Sequence, residues 1–252
     1  MKKEWFEEWF DSPYYHLLYK GRNEEEAKSS LNNLLLALDL AHGARILDLA
    51  CGKGRHSRYL AEKGFNVTGL DISETSISFA RQFETENLEF FQHDMRKPFR
   101  TNYFDGVLNM FTSFGYFKTD RENLQALHSI ANNLRPGGVF LLDYFNSQWI
   151  RTHLVAFETK KVEDVTFNLR KWIENGHVYK IIALEHRGRQ LTYTESVRLF
   201  ELDDFVRLFT ESNLKITKIL GDYDLQTFDP NNSRRLILVA QKNAPICTFF
   251  KA

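Results

Sequence analysis

The chain has 252 residues, 43% of them hydrophobic, which is enough for one large α/β domain or one domain carrying an insertion. Its 33 basic residues balance 33 acidic ones, so no global field recruits a polyanion and charge makes no case for nucleic acid. Two distant cysteines, Cys51 and Cys247, exclude a metal site built on a cysteine cluster and suit a reducing compartment. No apolar run approaches the length of a membrane span, and Glu4, Glu7, Glu8 and Asp11 break up the N-terminal MKKEWFEEWFDSPYY; the reading is a soluble, cytoplasmic protein without a membrane partner.

Taken in chain order, Trp5, Phe6, Trp9 and Phe10 recur at helical spacing and predict a helix docked on a core, while EEE at 24 to 26 reads as a solvated helix face. Strands and helices then alternate: RILDL at 45 to 49, a helix from His56 to Lys63, NVTGLD, a helix from Ser73 to Phe83, LEFFQHD and FDGVLNM. A helix from Arg121 to Leu134, the turn RPGG at 135 to 138 and the strand VFLLDYF complete this part. Such alternation implies a doubly wound, mainly parallel sheet of Rossmann-like type. From 160 to 200 three strands of mixed polarity, jointed at Asn175-Gly176 and Gly188-Arg189, predict an antiparallel insertion. A helix near Asp203 to Ser212 and the strands LKITKIL and RRLILVAQ return to the core. The expected organisation is therefore residues 1–149 as N-terminal lid helices and cofactor-binding α/β core, 150–200 as the β insertion, and 201–252 as the return to the sheet with a C-terminal tail.

Three acids fall where successive parallel strands end: Asp48, Asp71 and Asp94. In an open α/β sheet the ligand lies outside the carboxyl ends of the strands, so these side chains can converge on one crevice. Gly52 and Gly54 make a sharp turn into a helix, and Asp71 follows by about twenty residues, a spacing at which an acid reaches ribose hydroxyls. NAD would also fit those two features. A pyrophosphate, however, would meet Asp48 just before the turn, and Ser57 stands where a third glycine or alanine is wanted, so a cationic ligand without phosphates fits better.

DLACGKG followed in order by GLDIS, HDMR, FDGVLNM and LRPGGVFLLD resembles the class I S-adenosylmethionine-dependent methyltransferases over roughly residues 40 to 145. The resemblance implies S-adenosylmethionine as cofactor, S-adenosylhomocysteine as product, and no metal. It implies that Asp48 and the backbone of Ala50, Cys51 and Gly52 surround the methionine part, and that Asp71 chelates the ribose hydroxyls. Asp94 would accept from the adenine amino group, Ile72 and Met95 would sandwich the ring, with the Met95 amide at its edge, and Asn109 would offer its carbonyl to the ammonium. YYHLLYKGR resembles the N-terminal Tyr and Arg pattern of small-molecule N- and O-methyltransferases, which makes Tyr15 and Arg22 lid residues, with Arg22 on the cofactor carboxylate. Ala50 replaces the first glycine of the family pattern, implying a slight local adjustment. The nucleic-acid amino-methylating signature NPPY is absent; NMFT stands there.

The implied activity is N- or O-methylation of a small acceptor by in-line displacement, with no general base assigned. Phe114, Tyr116 and Tyr144 are the substrate-pocket candidates, since TSFGYF follows the fourth strand and Tyr144 the fifth. The insertion should roof the acceptor and leave the cofactor cleft largely untouched; a homodimer interface is its alternative role. A tRNA-modifying enzyme of the same fold and a catalytically silent cofactor-binding protein are the alternative functions. Plainer roles fit several other residues. Cys51 reads as a packing residue, His56 and His93 as solvated, Tyr14 and Tyr19 as packing, and Arg187/Arg189 and Arg234/Arg235 as exposed strand-end charges.

Overall fold

The computed structural model describes residues 4–21 and 24–244. Short helices α1 (Trp5–Phe10) and α2 (Pro13–Leu18) precede α3 (Glu24–Leu38). The alternating region runs β1 (Arg45–Leu49), α4 (Arg55–Glu62), β2 (Asn66–Asp71), α5 (Glu74–Ala80) with a 3-10 turn at Arg81–Phe83, then β3 (Leu88–Gln92) and β4 (Phe104–Asn109). It continues with α6 (Asp120–Asn133) and β5 (Leu134–Phe145). Local chemistry fixes the joints. Ser73 caps α5 by accepting from the Ser76 amide at 3.0 Å, and Thr119 with Glu122 forms a capping box on α6.

These strands build one seven-stranded sheet in the order β10-β11-β5-β4-β1-β2-β3, completed by β10 (Leu214–Leu220) and β11 (Arg235–Lys242) after α8 (Leu202–Glu211). β1 to β5 are parallel, and β11 runs antiparallel to both of its neighbours, β5 and β10. Central strands are apolar on both faces because both are covered. Leu47, Val107, Leu142 and Leu238 join one cluster with Leu127 of α6 and Phe205 of α8; Ile46, Leu108, Leu141 and Ile237 join the other with Leu34 of α3 and Leu60 of α4. The strand order reverses between β1 and β4, which opens a crevice at their carboxyl ends.

The insertion has four strands rather than the expected three: β6 (Phe157–Val162), β7 (Val165–Glu174), β8 (His177–His186) and β9 (Arg189–Arg198), all antiparallel. What reads as one strand from Lys160 to Glu174 is a hairpin. Glu163 takes φ 56° and Val162 pairs with Val165, so two charged residues make the turn without the Asn or Gly that announces one. A helix the sequence reading lacks, α7 (Ser147–His153), joins β5 to this sheet, capped by the Asn146 side chain. One face of the small sheet packs on α1 and α2: Trp9 and Leu18 share a cluster with Val165, Phe167, Leu169, Ile182 and Leu184. Among the described residues no helix is long and apolar enough to cross a membrane.

Candidate active site

One cavity of about 930 Å³ lies at the carboxyl ends of β1 to β4, bounded by the turn after β1, by α1 and α2, by α7 and by the small sheet. That volume is near the top of the range for small-molecule sites, roughly 300 to 1,000 Å³. At the turn, Ala50, Gly52 and Gly54 have φ 63°, 56° and 78°. The left-handed Ala50 explains the glycine usual there; alanine keeps the same backbone at a cost on the order of 1 kcal/mol. A side chain at Gly54 would meet Phe90 at 2.6 Å, whereas nothing lies within 4 Å of a Cβ at Gly52, so the turn leaves open space for a ligand.

Asp71, Ile72, Asp94 and Met95 line this cavity together with Ala50, Cys51 and Gly52. The Asp71 carboxylate accepts from the Gly52 amide at 2.8 Å and the Ser73 amide at 2.8 Å, one on each oxygen. Acceptor capacity remains on the carboxylate for a ligand. Burial pushes its pKa up, against these amide hydrogen bonds, which favour the charged form. Asp94 differs. Both of its oxygens are taken by Arg96, whose Nε lies at 3.1 and 3.0 Å and Nη2 at 2.8 Å, so it is not a free acceptor. Burial opposes ionisation there, yet the Arg96 hydrogen bonds win and lower the pKa.

Asp48 does not line the cavity. It is buried and accepts from Ser57 Oγ at 2.6 Å, and burial raises its pKa to about 6. Ser57, conspicuous in sequence as a missing glycine, is the hydroxyl that satisfies this acid. Asn109 is likewise fully buried: its Nδ2 donates to the Leu49 carbonyl at 3.1 Å and the Ser113 carbonyl at 3.4 Å, tying the loop after β4 to the end of β1. Burial, then the charges of Asp48 and Asp71, push the Cys51 thiol well up, which disfavours a thiolate nucleophile.

Tyr15 lines the cavity within a chain of rings. Its ring contacts Phe10 at 5.0 Å and Tyr19 at 5.1 Å; Tyr116 contacts Phe10 at 5.4 Å and Trp5 at 5.3 Å. Arg22 lies outside the described residues. Of the three substrate-pocket candidates only Tyr116 borders the cavity. Phe114 and Tyr144 are both fully buried in the core against Phe200 and Phe205, and the Tyr144 hydroxyl donates to the Arg198 carbonyl. Tyr144 lies within β5, where alternation turns it into the core and its neighbour Phe145 toward the cavity, and the loop after β4 folds Phe114 inward; neither direction can be read from the sequence.

The sequence reading passed over other groups in this wall. On the small sheet, Lys180 pairs with Glu195 at 2.6 Å and Lys171 with Glu158 at 2.8 Å. Glu195 also accepts from Trp9 Nε1 at 2.7 Å and the Tyr19 hydroxyl at 3.0 Å, so Tyr19 has a polar role beyond packing. On α7, Trp149 and His153 stack at 4.4 Å. His56 is not solvated: it is 6% exposed, stacks on Phe111 at 5.2 Å, and burial lowers its pKa to about 3. The small sheet and the glycine turn border the same cavity, to which the insertion contributes Glu158, Lys171, Lys180 and Glu195.

A sequence profile described as a methyltransferase domain matches residues 46–138, the span of the turn, the strand-end acids and β4. The dTDP-3-amino-3,4,6-trideoxy-alpha-D-glucopyranose N,N-dimethyltransferase of Streptomyces venezuelae is 27% identical over 216 residues, covering 82% of this chain and 91% of that protein. Among solved structures, an S-adenosylmethionine-dependent methyltransferase from Clostridium acetobutylicum matches with TM-score 0.76 at 18% identity, over 92% of this chain and 96% of its own. An S-adenosylmethionine-bound amino pentose methyltransferase from Micromonospora echinaspora matches with TM-score 0.69 at 20% identity, over 92% and 98%. Residues 46–138 thus match a methyltransferase domain, and the fold is that of solved S-adenosylmethionine-dependent methyltransferases. The chain is a methyltransferase enzyme whose cofactor is S-adenosylmethionine.

Proposed function

We propose that this enzyme methylates the amine nitrogen of a small polar, sugar-like acceptor. The observation that carries the reading is a shared cavity, in which the glycine turn and Asp71 meet aromatic rings and paired charges from α1, α2 and the small sheet. The donor set suits the cofactor, since a ligand bearing a sulfonium, an ammonium and a ribose wants carboxylates and open backbone rather than a phosphate cradle. Asp71 would hold the ribose hydroxyls through its remaining acceptor capacity. Ile72 and Met95 would flank the adenine, and Asp94 would receive its amino group only by releasing part of the Arg96 fork. When bound, the cofactor supplies an electrophilic methyl group.

The chain's own residues then position a nucleophile and keep water away. Phe10, Tyr15 and Tyr116 supply aromatic rings whose faces favour positive charge, and Trp149 offers an apolar plate for a sugar face. Lys171, Lys180, Glu158 and Glu195 give hydroxyls a set of donors and acceptors without net charge. A neutral amine needs orientation and no dedicated base. The Streptomyces relative, named for N,N-dimethylation of an amino sugar, supports the same reading.

The test is incubation of purified protein with methyl-labelled S-adenosylmethionine and matched pairs of acceptors, free and dTDP-linked amino sugars beside their hydroxyl counterparts. Mass spectrometry should find label on the amines alone. Label on the hydroxyl compounds alone would replace N-methylation with O-methylation.

A further inference from the structure

The loop after β4 is gripped by a buried ion pair that does not itself line the cavity. Asp143 of β5 is fully buried, and its Oδ1 accepts from Arg235 Nε at 2.7 Å and Nη2 at 2.6 Å. Its Oδ2 accepts from the Phe111 amide at 2.8 Å and from the Tyr223 hydroxyl at 2.8 Å. The Asp143 backbone carbonyl takes the Thr112 amide at 2.9 Å, and Arg235 Nη2 donates to Thr112 Oγ1 at 3.0 Å. Every one of these bonds to the loop ends on Phe111 or Thr112.

Those two residues are the ones in an unfavourable backbone state, with φ 56° and 61°. A β-branched residue at positive φ is an outlier that persists only where its surroundings over-determine it. Both residues line the cavity. The Phe111 ring stacks on His56 and carries Arg55 at 4.7 Å from its centroid, while the Thr112 carbonyl accepts from the Tyr116 hydroxyl. One buried pair thus sets the direction of several wall groups at once.

We infer that Asp143 and Arg235 are positioning residues for the cofactor cleft: they hold Phe111 and Thr112 in the left-handed conformation that shapes its wall, without touching the ligand. The inference rests on the cofactor and not on the identity of the acceptor. Releasing the loop leaves only a fraction of molecules with the competent wall, and apparent affinity falls by that fraction.

Arg235→Lys retains the charge but loses the fork that reaches Asp143 and Thr112 together. The expected result is an S-adenosylhomocysteine Kd raised about tenfold by calorimetry, with faster amide exchange at Phe111 and Thr112. Adding Thr112→Gly, which adopts positive φ without strain, should bring Kd back to within about threefold of wild type. Should Arg235→Lys not fold, Thr112→Val in the wild-type background removes the Oγ1 contact alone and should raise Kd about threefold with faster exchange at residue 112. A folded Arg235→Lys variant with lowered Tm, wild-type affinity and no effect of Thr112→Gly would reduce the pair to general stabilisation and overturn the inference, as would unchanged affinity in Thr112→Val. Wild-type protein that bound no S-adenosylhomocysteine would instead contradict the cofactor reading, and exchange at Phe111 and Thr112 would still report whether the pair holds the loop.

Discussion

Asp71 ends β2 with each carboxylate oxygen on a backbone amide, and it lines the cavity. Asp71→Asn keeps the shape but removes the charge and turns one acceptor into a donor. It should cost about 1.5 to 3 kcal/mol of S-adenosylhomocysteine affinity. Equal affinity by calorimetry would make Asp71 a turn residue only. His56 gives a pH prediction. Its folded pKa is lowered from 6.5 to about 3, so the unfolded chain binds the proton more readily and stability from this group is full above pH 6.5. It is lost as pH falls from there toward 3, by up to about 1.4 kcal/mol per unit. His56→Phe, which preserves stacking on Phe111, should lose less stability than wild type in urea unfolding at pH 5 relative to pH 7. Identical pH dependence would show that His56 is not held neutral. Asp71 was legible because strand-end acids recur in register. Arg235 was not: a charge at a strand end reads as exposed until its partner is seen, and the one hint was Asp143, a lone acid within the apolar run LLDYF.

Helices α1 and α2 pack on the small sheet as well as on the core, and Trp9, fully buried, also donates to Glu195. Trp9→Ala should destabilise the protein by about 3 to 5 kcal/mol if the site does not collapse. It should also release residues 4–21 to protease at low doses that leave the core intact. Cleavage at the wild-type rate would mean that the helices are held elsewhere. Because Tyr15, Phe10 and Trp5 reach the cavity from these helices, weakening the small sheet should weaken cofactor binding too. The sequence reading separated lid from roof because period-two and helical patterns show which face is apolar but not which partner it meets. The hairpin at Glu163-Asp164 was missed for want of turn chemistry, whereas α7 had a signal in Asn146 followed by Ser147 and Gln148.

Across the whole molecule, the parallel sheet and the crevice at its carboxyl ends were legible from the alternation of strands and helices, whereas the strand order and the reversal between β1 and β4 come from the structure. The convergence of that crevice with the small sheet into one cavity was not legible, since it depends on how far the insertion folds back. The likeness to solved methyltransferase folds is consistent with both. The proposed role of the turn at Ala50–Gly54 and of the acid at Asp71 is to hold S-adenosylmethionine rather than a dinucleotide. Calorimetric titration of the purified protein with S-adenosylhomocysteine and with NAD tests it most directly. Saturable one-to-one binding of S-adenosylhomocysteine with no measurable heat for NAD is the expected result; binding of NAD equal to or tighter than that of S-adenosylhomocysteine would contradict it.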